Sequence, residues 1–98
     1  MDVEFIEPAS IELDDAIEYY NLQSYGLGDK FFDEVLKTIG IILRFPETWA
    51  QNTKHTRRAV LMKFPYNLIY TIHNDKIYII AVAHQHREPE YWIDKILK

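Results

Sequence analysis

Two histidines and an arginine fall within four residues at His84-Gln85-His86-Arg87, directly after the apolar run Ile77-Tyr78-Ile79-Ile80-Ala81-Val82 and just before Pro89, Tyr91 and Trp92. A strand that ends in such a burst of titratable groups either exits into solvent or forms the wall of a site. Side chains alternate between the two faces of a strand, so His84 and His86 share a face if the strand runs that far. Two neutral imidazoles at this spacing are a usable half of a metal site, but no third ligand stands at a suitable distance in the sequence, and we expect no metal and no cofactor. The chain has no cysteine, which excludes thiolate zinc sites and disulfide frameworks. His84 is expected to be half-buried and bonded to a backbone or carboxylate partner, and His86 to be exposed. Arg87 and Arg58 are the strongest cationic candidates. The alternative for Arg87 is structural, an ion pair with Glu88 or Glu90 that finishes the sheet.

The elements that must position these groups are constrained by size and charge. With 98 residues, 48% of them hydrophobic, the chain fits one domain (1–98) around one core. The N-terminus Met1-Asp2-Val3-Glu4 lacks a basic region and a long apolar run, so no signal peptide is expected, and no segment reaches the length of a membrane span. We expect a cytoplasmic protein with no membrane partner. The net charge of −4 is unevenly spread. Residues 1–36 carry ten carboxylates and a single base, Lys30, whereas residues 37–98 carry ten bases, five carboxylates and all four histidines. The second part is a candidate surface for an anionic partner, and the first would repel one.

Val3-Glu4-Phe5-Ile6 reads as a short strand. Ser10 is expected to cap a helix whose apolar residues Leu13, Ala16, Ile17 and Tyr20 follow helical spacing. Asn21 to Gly28 reads as the turn of a helical hairpin, and Asp29 as the cap of a second helix. That helix shows an apolar face of Phe32, Val35, Leu36, Ile39, Ile42 and Leu43 and ends at Pro46. Gly40 within it is expected to mark close packing. After a polar loop, strands are expected over 58–62, 67–72 and 77–83. Asn74-Asp75 should form a two-residue hairpin turn that pairs Ile72 with Ile77 and Tyr70 with Ile79. Glu88 to Lys98 should form a short final helix with Pro89 at its start. The fold class is α+β: an N-terminal strand and a helical hairpin packed on a small, mostly antiparallel sheet, with a short C-terminal helix.

Several stretches then carry a resemblance. Tyr19-Tyr20, Gly26-Leu27-Gly28-Asp29-Lys30-Phe31 and Phe45-Pro46 in the first half are joined by Phe64-Pro65-Tyr66-Asn67-Leu68-Ile69-Tyr70 and by a closing motif from Ala81 to Trp92 of the form A-V-x-H-x-x-R-x-P-x-x-W. Together they resemble the RelE/ParE toxins of bacterial type II toxin–antitoxin modules, in particular the plasmid stabilisation proteins. Lys95 stands where many relatives have arginine, and the acidic overall balance differs from that of the strongly basic, ribosome-dependent members. The resemblance implies a toxin that arrests growth when free and is silenced by a cognate antitoxin, as a homodimer or a hetero-oligomer with it. ParE-like members act on DNA gyrase by contact, and RelE-like members cut mRNA on the ribosome. A non-toxic interaction module with the same fold is the third reading.

For the nuclease reading, attack by a 2′-OH needs a proton acceptor, a proton donor and cations on the phosphorane oxygens. Arg58, Lys63 and Arg87 could supply charge, and His84, His86 or Tyr91 could move protons. The candidate site residues are therefore Arg58, His84, Arg87 and Tyr91. Tyr66, Tyr70 and Tyr78 are expected in the core and on the sheet face rather than as base-stacking platforms. Pro65 before Tyr66 argues for an edge or a first strand position. An antitoxin segment could add at an edge strand, or a helix could lie in a groove beside the hairpin.

Overall fold

The computed structural model describes residues 1–88 and 90–93. The chain runs β1 (Asp2–Phe5), α1 (Glu7–Gln23), α2 (Leu27–Arg44), β2 (Arg57–Val60), β3 (Tyr66–His73) and β4 (Lys76–His84). The strands form one sheet in the order β1-β4-β3-β2, with β1 parallel to β4 and the other pairs antiparallel. This is the expected α+β arrangement. The final helix expected over 88–98 falls mostly outside the described residues. Within them, backbone bonds from Tyr91 N to Glu88 O (3.2 Å) and from Ile93 N to Glu90 O (3.1 Å) make short turns.

Both helices start earlier than the side-chain caps suggested. α1 begins at Glu7 behind an extended Ile6, with Pro8 in its first turn, where a missing N–H costs nothing. Ser10 is already inside that turn, its N–H donating to Ile6 O at 3.0 Å. α2 is entered through Gly26 at φ +81°, a left-handed conformation natural to glycine. Asp29 lies in its first turn, and the amide of Gly28 donates to Asn21 Oδ1 of α1 at 2.8 Å. Close packing falls at Gly28 rather than Gly40. A Cβ at Gly28 would stand 2.1 Å from Ile17 O, whereas one at Gly40 would meet nothing within 4 Å.

The helical hairpin covers one face of the sheet. Phe31, Val35 and Ile42 of α2 and Ala9 and Leu13 of α1 pack there on Leu68, Tyr70, Ile77 and Ile79. The other face carries a smaller cluster of Ile69, Ile80, Ala81 and Trp92. Asn74 (φ 49°) and Asp75 (φ 62°) supply the positive φ pair that a tight hairpin needs, and Ile72↔Ile77 and Tyr70↔Ile79 are paired as expected. Pro65 precedes the first residue of β3, an interior strand, so the edge strands are β1 and β2, and residues 50–51 cover the start of β2 through the Gln51↔Arg57 bridge and the Arg58 N–H bond to Ala50 O at 2.9 Å.

One irregularity in β4 positions everything that follows. The register passes from Tyr70↔Ile79 to Ile69↔Ala81, leaving Ile80 as an extra residue. Ile77 and Ile79 face the helices. Ile80 and Ala81 both turn to the outer face, and Val82 returns to the helix side. The bulge inverts the alternation of the strand and so delivers His84, two residues on, to the same side as α1.

Candidate functional site

β1 covers β4 only from Lys76 to Ile79, and the amide of Ile6 closes that ladder on Ile79 O at 3.1 Å. Beyond it, β4 runs alongside α1. There the amide of Val82 donates to Glu12 Oε1 at 3.0 Å. The other Glu12 oxygen accepts the hydroxyl of Tyr91. Glu12 thus ties α1, β4 and the segment after β4 together. Burial, followed by the hydrogen bond to Glu12 and its negative charge, raises the pKa of Tyr91 far above the usual phenol value, and the opposing pull of Arg87 does not offset them. The phenol stays protonated. The guanidinium of Arg87 lies over its ring, 4.0 Å from the centroid, close enough for a cation–π contact.

The turn after β4 is held by Arg87 N donating to His84 O at 3.0 Å and by His86 N donating to His84 Nδ1 at 3.1 Å. An Nδ1 that accepts leaves Nε2 to carry the proton of the neutral ring. His84 is half-buried with a backbone partner, and His86 is exposed. The His84 ring meets the edge of Tyr66 at 5.2 Å, and Tyr66 continues into a cluster with Tyr20, Phe31 and Phe64. Arg87 forms no ion pair with Glu88 or Glu90.

Two depressions flank this turn. A cleft of about 410 Å³ on the helix side is walled by Glu12, Asp15, Tyr19, Tyr66, His84, Arg87 and Tyr91. Burial raises the pKa of Tyr66, helped by Tyr19 and Glu12, so its phenol is neutral as well. A smaller notch of about 40 Å³ holds Arg58, His84, Arg87, Asn52, Asn67 and Gln85. Arg58 stands opposite Ile69, and its neighbour Ala59 is in the helix-side core, so Arg58 projects on the outer face. Its Nε is buried without a hydrogen-bond partner, which costs about 1–3 kcal/mol. His84, Arg87 and Tyr91 therefore share the cleft, and Arg58 meets only His84 and Arg87, across the notch. Tyr70 is fully buried and donates to Pro46 O at 2.5 Å, while Tyr66 and Tyr78 are partly buried.

The residues not foreseen in the cleft are Glu12, Asp15, Tyr19 and Tyr66. Glu12 carried a legible signal: it lies three residues after Ala9 and four before Ala16, inside the stripe that α1 buries. At the far edge of the sheet, Glu34 of α2 accepts the amide of Met62 at 3.0 Å. Beside it a groove of about 150 Å³ runs between Lys37, Ile41 and Trp49 on one side and Val60, Met62 and Lys63 on the other. Met62 is 85% exposed there. No helix among the described residues is long and apolar enough to cross a membrane.

A helical hairpin packed on a small mixed sheet is an α+β fold like that of ParE-type toxins. The family model for the ParE toxin of the type II toxin–antitoxin system parDE matches residues 3–89, and the chain belongs to that family. Among solved structures, one of the chromosomal ParDE toxin–antitoxin system from P. aeruginosa is similar in fold. Its TM-score is 0.75 at 12% identity, over 86% of this chain and 95% of the matched one. No curated protein sequence matches the chain.

Proposed function

We propose that this chain is a cytoplasmic toxin that arrests bacterial growth by contact, with DNA gyrase as its target, and that a cognate antitoxin neutralises it. The observation that carries contact over cleavage is the bond between Tyr91 and Glu12. The phenol that a nuclease would use to move a proton is spent inside the fold and is a weaker acid than usual. Arg58, the second cation that a phosphorane would need, projects on the outer face of the sheet and does not line the cleft that holds Tyr91, meeting Arg87 only across the separate notch. What remains accessible is a recognition surface: Arg87 stacked on Tyr91, the exposed Asp15 and Tyr19, and the half-buried Tyr66 and His84. The end of β2 beyond the Gln51↔Arg57 bridge, with the apolar groove between Lys37 and Lys63, suits an added antitoxin segment with acidic flanks.

The test is a pulse of expression without antitoxin, followed by growth measurement and mapping of mRNA 5′ ends. Growth arrest with intact messages is expected. Codon-phased cuts in translated messages would replace this reading with a ribosome-dependent endoribonuclease. Folded protein without arrest would leave a non-toxic interaction module.

A further inference from the structure

We infer that the helix-side cleft receives an arginine side chain of a protein partner, with its guanidinium against Asp15 and the rings of Tyr19 and Tyr66. The inference rests on the reading of this cleft as a recognition surface and names what that surface recognises. α1 supplies one wall. Glu12, Asp15 and Tyr19 follow one another at spacings of three and four, which puts them on one face of the helix. Both oxygens of Glu12 accept hydrogen bonds, from Val82 N and from the Tyr91 hydroxyl. Asp15 is exposed and forms no ion pair within 4.0 Å among the described residues. Tyr19 is 54% exposed, yet its ring is held edge-on against Tyr20, with centroids 5.3 Å apart, and Tyr20 meets Tyr66 at 6.1 Å. Two rings in fixed positions therefore stand beside a carboxylate that has no counter-ion.

Charge favours the same ligand. In the walls of the cleft, the carboxylates of Glu12 and Asp15 outnumber the guanidinium of Arg87 by one. Residues 1–29 hold eight carboxylates and no lysine or arginine, so the potential over α1 draws cations and repels anions. The face of an aromatic ring draws the same sign of charge. The fold already makes this contact once, where Arg87 lies over Tyr91 with 4.0 Å to the ring centroid. That pair is internal, and no cation of the described residues covers Tyr19 or Tyr66. A guanidinium suits these walls better than an ammonium, because it is planar, weakly hydrated and able both to stack on a ring and to fork onto a carboxylate. An acidic side chain would instead meet two carboxylates and one cation. About 410 Å³ is room for one long side chain and the backbone that bears it.

The test is NMR of the full ¹⁵N,¹³C-labelled chain, titrated with N-acetyl-arginine amide and separately with N-acetyl-citrulline amide, which has a similar shape and no charge. A saturable shift of the Tyr19 and Tyr66 ring signals is expected with the arginine probe, at an affinity about fivefold or more above that of the citrulline probe. Asp15→Asn should weaken arginine binding about fivefold, and Tyr19→Leu by a similar factor, with backbone spectra otherwise unchanged. Equal binding of the two probes overturns the proposal, as does the absence of a saturable shift. Shifts that spread over Glu7, Asp14 and Glu18 and survive Asp15→Asn overturn it too, since they report general charge attraction along α1. The probes need no gyrase. A chain that binds the arginine probe and leaves gyrase untouched keeps the site and loses only the gyrase target, whereas gyrase inhibition without arginine binding removes the site alone.

Discussion

Glu12 and Glu34 finish the two ends of the sheet's hydrogen bonding in the same way. Each stands in the buried stripe of its helix, and each accepts a backbone amide at 3.0 Å that no neighbouring strand reaches, Val82 of β4 in one case and Met62, just beyond β2, in the other. At Met62 the arrangement stops there. Glu34 is 6% exposed, and the Thr38 hydroxyl on the next turn donates to the Glu34 carbonyl at 2.9 Å. At Val82 the carboxylate is half-buried, and its second oxygen takes the Tyr91 hydroxyl, which sets the ring on which Arg87 rests. A carboxylate that ends a β-ladder is a structural device. It becomes part of a site where a following segment folds back over its free oxygen.

Substitutions can break this pairing unequally. The largest effect is expected for Gly28→Ala, whose methyl would strike the Ile17 carbonyl and push α1, with Glu12, away from the sheet. A loss of about 3 kcal/mol or more in urea denaturation is expected, because backbone cannot yield as a side-chain tip can. Next comes Glu34→Ala, which leaves the Met62 amide without its acceptor, at about 2 kcal/mol. Glu34→Gln keeps an acceptor and should cost under about 1 kcal/mol in the same assay.

Tyr91→Phe should cost only about 1 kcal/mol near neutral pH, since it removes one partly exposed hydrogen bond. It should also change the alkaline limb of the stability curve. The folded pKa of Tyr91 is raised above the ordinary value of 10.0, so the unfolded chain releases this proton first as pH rises past it. The contribution is complete below that pH and is lost above it, so the variant should lose stability less steeply in a denaturation series at high pH. The smallest effect is expected for Glu4→Gln, which removes the exposed contact of Glu4 with Lys76 at 2.7 Å. The denaturation midpoint should not move measurably at physiological salt.

Much of the fold was legible because it rests on local rules. The two turn residues with positive φ fix the β3–β4 register, and the 3.6-residue spacing fixes the apolar face of α2. The helix starts were misread because Asn21 and Gly26, rather than Asp29, organise the start of α2, and because Pro8 begins α1 without a side-chain cap. The cleft was half legible. His84, Arg87 and Tyr91 lie within eight residues of sequence, so their proximity is nearly local. Glu12 comes from 70 residues before Val82, and only the end of β1 and the bulge at Ile80 bring them together. The same bulge turns His84 to the helix side, while the regular β2–β3 register keeps Arg58 on the outer face, and no spacing in the sequence announces the bulge.

The most direct test of the contact account is supercoiling by purified DNA gyrase, titrated with the folded toxin and with Arg87→Ala. The account expects wild-type protein to inhibit near stoichiometric amounts, and the variant, with unchanged thermal stability, to need about tenfold more or greater. Full supercoiling in the presence of excess folded wild-type protein would contradict it.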